Sequence, residues 1–215
     1  MAPRSEWLDV SIPITPAMHA WPDSPPTTVT PHLAIAQGDV CNVSTIHFNS
    51  HCGTHMDAPL HFLAKGVSMD ALPWDAVIGP ARLIEVTDSE SIKPAALRRL
   101  KLKAGARVLF KTRNSTRSWK KPGFDKDFVY ISKEAAAYLV DCGVQTVGVD
   151  YLSVGGFYKD GIETHHILLG AGMWIIEGLD FRKAQPGNHD LLCLPLRLLG
   201  ADGAPARCLI RRRSR

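Results

Sequence analysis

Most of the chemistry legible in this chain lies in one run, His51-Cys52-Gly53-Thr54-His55-Met56-Asp57-Ala58-Pro59-Leu60-His61. Its histidines and its aspartate all fall on odd-numbered positions. In an extended chain successive side chains alternate between faces, so residues two apart share a face. His51, His55, Asp57 and His61 would then point the same way, with Gly53 and Pro59 adding no bulk between them. A helix would separate His55 and Asp57 by about 200°, and Pro59 and Gly53 disfavour one. The run reads as an irregular strand or loop aimed at a metal. A lone histidine is usually a surface residue or a hydrogen-bonded core residue. Four ligand-type side chains on one face would instead form a crowded polar patch that needs partners. Imidazole with carboxylate is the donor set of zinc and similar divalent metals.

The string His-x-Gly-Thr-His-x-Asp-x-Pro-x-His over residues 51–61 resembles the signature of the metal-dependent cyclase family, which includes bacterial kynurenine formamidases and isatin hydrolases. The likeness runs from Trp7 to Ile210. It implies that His165 and Glu177 supply the distal metal ligands. His51, His55 and Asp57 would sit on one ion and His165 on another, with Asp57 and Glu177 bridging. It further implies that His61 transfers protons rather than staying ligated. Metal-activated water would cleave an aromatic amide, N-formylkynurenine giving formate and kynurenine in tryptophan catabolism. The cofactor would be one or two Zn2+ ions, or Mn2+. An early Trp-Pro pair supplies a substrate-pocket tryptophan in the formamidases, and Trp21-Pro22 matches it. The family pattern is Trp-Pro-Gly-Asp, whereas Asp23 follows Pro22 directly here. That departure, with Ser153-Val-Gly-Gly-Phe157, keeps opening of a cyclic amide such as isatin, with manganese, as a second reading.

Two further residues bear on the ligand set. Glu177 lies among Trp174, Ile175, Ile176 and Leu179, where a carboxylate is costly unless it is paired or metal-bound. His165 and His166 would diverge by about 100° in a helix, so only one can face a given ion. The family register selects His165 and leaves His166 to packing. His47 could extend the polar face and reads as a supporting or structural residue.

Positioning these groups requires strands. Trp7–Ile14 reads as an edge strand, followed by a proline-rich loop over 15–26. Two strands about Gln37-Gly38-Asp39 lead into the metal run. Strands are expected over 81–86, 107–112 and 146–150, a short helix starts at Pro94, and closing strands fall in 190–199 and 205–210. Ser132 can cap a helix over 133–142, with Gly143 as its terminator. The 107–150 order suggests a strand–helix–strand unit. The expected fold is α/β in the broad sense, a β-rich mixed sheet with flanking helices, of the family's swivelling β/β/α type. We expect one domain over 6–210 and a basic, solvated tail over 211–215.

The 215 residues, 45% hydrophobic and 21% charged with a net charge of +4, suit a soluble globular domain. No basic stripe with interleaved aromatics points to nucleic acid, and no apolar run approaches the ~20 residues of a membrane span. The N-terminus, Met1-Ala-Pro-Arg-Ser-Glu-Trp7, lacks a signal-peptide core. Five scattered cysteines suit free thiols in a reducing cytosol, so the expected location is cytoplasmic. The family resemblance suggests a homodimer or higher assembly. From another class, His55, Asp57 and His165 also fit the two-histidine, one-carboxylate site of a non-haem iron oxygenase, although His51 and Glu177 would crowd its open positions. A metal-stabilised binding module would favour a closed, cysteine-rich site, unlike this one.

Overall fold

The structure is a computed structural model and describes residues 6–213. Met1–Ser5 of the N-terminal reading, and Ser214 and Arg215 of the basic tail, lie outside the described residues. In chain order the first strands are β1 (Leu8–Asp9), β2 (Thr28–Leu33), β3 (Val43–His47) and β4 (His55–Asp57). A short helix α1 (Trp74–Val77), strands β5 (Ile78–Glu85) and β6 (Ser91–Ile92), and helix α2 (Pro94–Arg98) follow. The α/β portion comprises β7 (Arg107–Lys111), β8 (Tyr130–Ile131), α3 (Lys133–Asp141), β9 (Thr146–Val149), α4 (Gly161–Gly170) and β10 (Trp174–Glu177). Two long strands, β11 (Gly187–Pro195) and β12 (Gly203–Arg212), close the chain.

The main sheet runs β1-β12-β11-β5-β7-β9-β10-β4, and β4 also pairs with β12, so the sheet closes on itself as a barrel. β5, β7, β9 and β10 are mutually parallel, whereas the pairings of β11, β12 and β4 are antiparallel. β1 fills the remaining gap, paired to β12 and bridged through Ser11 to Leu179. The first strand is thus two residues plus a bridge rather than a run over 7–14. The sheet is mixed and β-rich with flanking helices, as expected.

Alternation along the parallel strands divides the core. Leu83, Leu109 and Ile176 pack inside the barrel with Met56, Phe181 and Leu191. Val108, Phe110, Val147, Val149 and Ile175 pack outside, on Ala135, Ala136 and Leu139 of α3 and on Leu168 and Leu169 of α4. Burial on both faces explains why these strands read as continuous apolar runs; each such side chain contributes about 1.5–3 kcal/mol. The Ser132 hydroxyl accepts from the Ala135 N–H at 3.2 Å and caps α3, worth about 1 kcal/mol. The helix ends in a left-handed turn at Gly143, and β7–α3–β9 forms the expected parallel unit. The hairpin β2–β3 stands apart as its own sheet, with Val29, Val43 and Ile46 exposed.

The basic stretch from residue 211 is not simply a solvated tail. Arg211 and Arg212 continue β12, pairing in register with Asp190 and His189, because β11 offers an edge as far as Gly187. Arg211 also makes a 2.9 Å ion pair with Asp190 and lies over the Trp7 ring. No helix among the described residues is long and apolar enough to cross a membrane.

Candidate metal centre

β4 is three residues long, fully buried and paired on both edges. Its register with β10 sets His55 opposite Glu177 and Asp57 opposite Ile175. Directly opposed residues have Cβ atoms about 4.5–5.5 Å apart, close enough for the imidazole and the carboxylate to meet. The observed separation is 3.2 Å from His55 Nε2 to Glu177 Oε2. Glu177 thus joins the motif through strand pairing, across 120 residues of sequence. Gly178 makes this crossing possible: its φ is +71°, and a Cβ there would lie 2.1 Å from the Gly53 carbonyl oxygen.

His51 and His61 arrive by a different route from the uniform extended run. Only His55 and Asp57 belong to a strand; the chain turns over 51–54, and His61 ends a 3-10 turn, Pro59–His61. Both rings nevertheless reach the cluster. His51 Nδ1 lies 2.9 Å from Asp57 Oδ1, and the His61 ring stacks on His51 with centroids 3.9 Å apart. Gly203 leaves room for His51, since a Cβ there would come within 2.6 Å of the ring. His165 projects from α4 into the same space, its Nε2 3.4 Å from Glu177 Oε1 and 3.8 Å from Asp57 Oδ2. Phe62 stacks flat on His165 at 4.2 Å and holds its plane. His166 is exposed, as the 100° helical offset requires. His47 is exposed on the hairpin, 3.4 Å from the Pro26 carbonyl.

The hydrogen bonds assign the tautomers. His55 Nδ1 donates to the Gly53 carbonyl at 3.0 Å, and His165 Nδ1 donates to the Gly161 carbonyl at 2.6 Å, because a carbonyl oxygen can only accept. In the neutral rings, Nε2 of each is then a bare lone pair directed at carboxylates, which are also acceptors. His55 Nε2 and Asp57 Oδ2 are buried with no hydrogen-bond partner. Acceptors facing acceptors in a buried site are repulsive unless a cation lies between them. Donor atoms of His55, Asp57 and Glu177 lie within 4.8 Å of one another, as do those of His51, Asp57 and His61. The residues therefore fit a divalent metal.

Electrostatics agree. Burial pushes the Asp57 and Glu177 carboxyls up, but the imidazoles override it, and both are held below the usual carboxylate range, in Glu177 against repulsion from Asp57. Burial opposes protonation of His51, yet its bonds to Asp202 and Asp57 raise it to about 10. Burial also opposes the His165 imidazolium, and Glu177 more than offsets this. His61 moves down, burial outweighing the attraction of Asp57.

Asp202 was not foreseen from the sequence. It sits in the turn before β12, accepts from Ser50 Oγ at 3.0 Å, and faces His51 Nε2 at 2.9 Å and His61 Nδ1 at 3.5 Å. Ala201-Asp202-Gly203 looks like an ordinary turn; only the return of β12 alongside β4 brings it here.

Trp21 is 39% exposed and packs on Phe124 and Phe157, with centroids at 5.0 and 5.6 Å. This aromatic cluster includes buried Tyr151, whose hydroxyl lies 3.2 Å from His19 Nδ1. It abuts the carboxylates through backbone: the Val154 N–H donates to Glu177 Oε1 at 2.6 Å, and the Gly178 N–H donates to the Tyr151 carbonyl at 2.7 Å.

The family model for cyclases matches residues 8–155. The chain belongs to the cyclase family. This cyclase-family protein is 32% identical over 207 residues to a kynurenine formamidase of Bacillus cytotoxicus, covering 96% of this chain and 98% of the relative. A solved structure described as a predicted metal-dependent hydrolase from Bacillus stearothermophilus superposes with a TM-score of 0.84 at 32% identity, covering 97% and 98% of the two chains. Isatin hydrolase A from Labrenzia aggregata shares the fold at a TM-score of 0.81 and 20% identity, covering 95% and 93%.

Proposed function

We propose that this cyclase-family protein is a metal-dependent amide hydrolase acting on a small aromatic formamide of the N-formylkynurenine type. The observation that carries the reading is the buried Asp57–Glu177 pair faced by Nε2 of His55 and of His165. His51, His55 and Asp57 would hold one ion and His165 a second, with Asp57 and Glu177 shared. The donors are nitrogen and oxygen only, which suits zinc or manganese. The neighbouring Cys52 belongs to neither group of converging donor atoms. Four imidazoles and two carboxylates exceed the set of an iron oxygenase with open positions. A divalent metal supplies, when bound, the Lewis acidity that polarises a carbonyl and acidifies water.

The chain's own groups do the rest. His61, tilted toward the neutral imidazole, takes a proton from the attacking water and returns it to the departing amine, which is a poor leaving group unless protonated. Asp202 orients His51 by accepting from its ring at 2.9 Å and faces His61 Nδ1 at 3.5 Å. Trp21 and the aromatic cluster give the substrate ring an apolar wall beside the carboxylates. The departure after Pro22 favours testing a cyclic amide of the isatin type alongside.

A homodimer belongs to this reading, because the exposed apolar residues of β2–β3 are costly in isolation; light scattering on the purified chain tests it. A cytoplasmic location suits five free cysteines. The functional test is hydrolysis of N-formylkynurenine against isatin by zinc- and manganese-loaded protein. Release of formate from N-formylkynurenine is expected. Turnover of neither amide would sink the proposal.

A further inference from the structure

The amino ends of β5 and β7 carry a second feature, at the far end of the barrel from the metal centre. A cavity of about 1180 Å³ opens there, lined by Arg82, Lys101, Lys103, Arg107, Arg212 and Arg213, with no acidic residue in its wall. The strand register builds it. Arg212 of β12 pairs with His189 of β11, His189 with Ala81 of β5, and Ala81 with Arg107 of β7. Residues in one register row share a face, so two guanidinium-bearing side chains project from the same side of the sheet. They stand three strand spacings of about 4.8 Å apart, with the buried His189 and the small Ala81 between them. Arg82, which alternation turns to the other face of β5, and Lys103 from the preceding loop add charge at the rim of the cavity.

Two of these cations, Arg107 and Arg82, hydrogen-bond to carbonyls rather than to carboxylates. Arg107 donates to the Pro80 carbonyl at 3.2 Å, and its buried Nε has no hydrogen-bond partner. Arg82 donates to the Leu100 carbonyl at 2.7 Å. The nearby carboxylates are Asp75, which acts on Arg107 through space, and Asp190, 3.6 Å from Arg213; neither lines the cavity. Like charges gathered around a cavity repel one another and focus a positive potential into it.

We propose that this cavity is a second ligand site, taking a small soluble anion that carries a chain of phosphate groups, such as a nucleoside polyphosphate. Several cations spread over the wall match several phosphates better than one, and the guanidinium fork matches phosphate geometry. The site is concave and has no aromatic in its lining, which disfavours nucleic acid, whose bases stack on aromatic platforms. The concavity equally disfavours a flat membrane.

The test is calorimetric titration of the metal-loaded full chain with ATP at low salt, repeated with Asp57→Ala and with the double variant Arg82→Glu/Lys103→Glu. One-to-one binding is expected, weakening as salt rises. It persists in Asp57→Ala, which separates it from phosphate on the metal centre and from the hydrolase reading. In the double charge reversal it falls at least about tenfold, or 1.4 kcal/mol. Should that variant fail to fold by circular dichroism, Lys101→Gln/Lys103→Gln is expected to weaken binding several-fold. The proposal is overturned by the absence of saturable ATP binding, by binding that survives charge removal, or by binding lost in Asp57→Ala. It is also overturned if vesicles containing phosphatidylinositol phosphate, or duplex DNA, bind more tightly than ATP.

Discussion

At the carboxyl ends of β9 and β10 the barrel gathers carboxylates and imidazoles; at the amino ends of β5 and β7 it gathers guanidinium and ammonium groups. Each end contains a buried nitrogen without a partner, His55 Nε2 at one and Arg107 Nε at the other. The two ends are built differently. The metal end rests on a contiguous run completed by strand pairing and one helix, and His55, Asp57, His165 and Glu177 are buried there. The cationic end draws its side chains from β5, β7, β12 and the loop before β7, and Arg82, Lys101, Lys103, Arg212 and Arg213 are exposed. Burial makes the first cluster intolerant of an unmatched charge, whereas solvent screens much of the second. Removing a charge at the metal end therefore has far larger consequences for the amide reaction.

The largest expected effect follows from Asp57→Ala, which takes away the carboxylate placed between His51, His55 and His165. Metal is lost on purification and activity is essentially abolished; metal analysis with an amide assay checks both. Next, His61→Ala keeps its metal and loses roughly a hundred- to ten-thousandfold in turnover, the usual span for a general acid–base group. Full activity in that variant would remove the proton-transfer role. Asp202→Asn, one layer further out, lowers metal affinity or activity about 10–100-fold, read by competition with a chelator.

Metal removal sharpens the contrast through pH. In the metal-free protein the His51 pKa is raised from 6.5 to about 10, with burial opposing and the Asp202 and Asp57 carboxylates prevailing. A raised folded-state value gives stability that is full below 6.5 and lost as pH climbs through about 10. Denaturant midpoints of the metal-free protein should fall across that window. Metal loading, which requires unprotonated imidazole, should flatten the fall. The smallest effect is expected for Trp21→Ala, a rise in KM of up to about tenfold from lost aromatic contact, worth about 0.5–1.5 kcal/mol, with kcat and metal content little changed.

The metal end was partly legible in the sequence because ligand spacing over 51–61 is a local property. Strand alternation accounted for His55 and Asp57 sharing a face, and the helical offset separated His165 from exposed His166. The positions of His51 and His61 depend on the turns on either side of β4, so they reach the cluster although the run is not one extended strand. Glu177 could be suspected from its apolar neighbours, yet only the β4–β10 register sets it opposite His55. Asp202 carried no signal, because a turn aspartate looks the same whether it faces water or an imidazole. The basic stretch from 211 read as a solvated tail, and the pairing of Arg211 and Arg212 with β11 depends on how far that strand extends. The cationic cavity was invisible for the same reason: Arg107 and Arg212 are brought onto one face by register, not by spacing.

The central claim is that β4, α4 and the end of β10 converge on bound metal. An anomalous difference map from crystals of the zinc-loaded protein tests it most directly. A peak is expected about 2.0–2.2 Å from both the Asp57 carboxylate and His55 Nε2, with His51 and Glu177 completing that shell and His165 facing a second ion that shares the two carboxylates. A peak elsewhere, or none between these residues at saturating zinc, would contradict it.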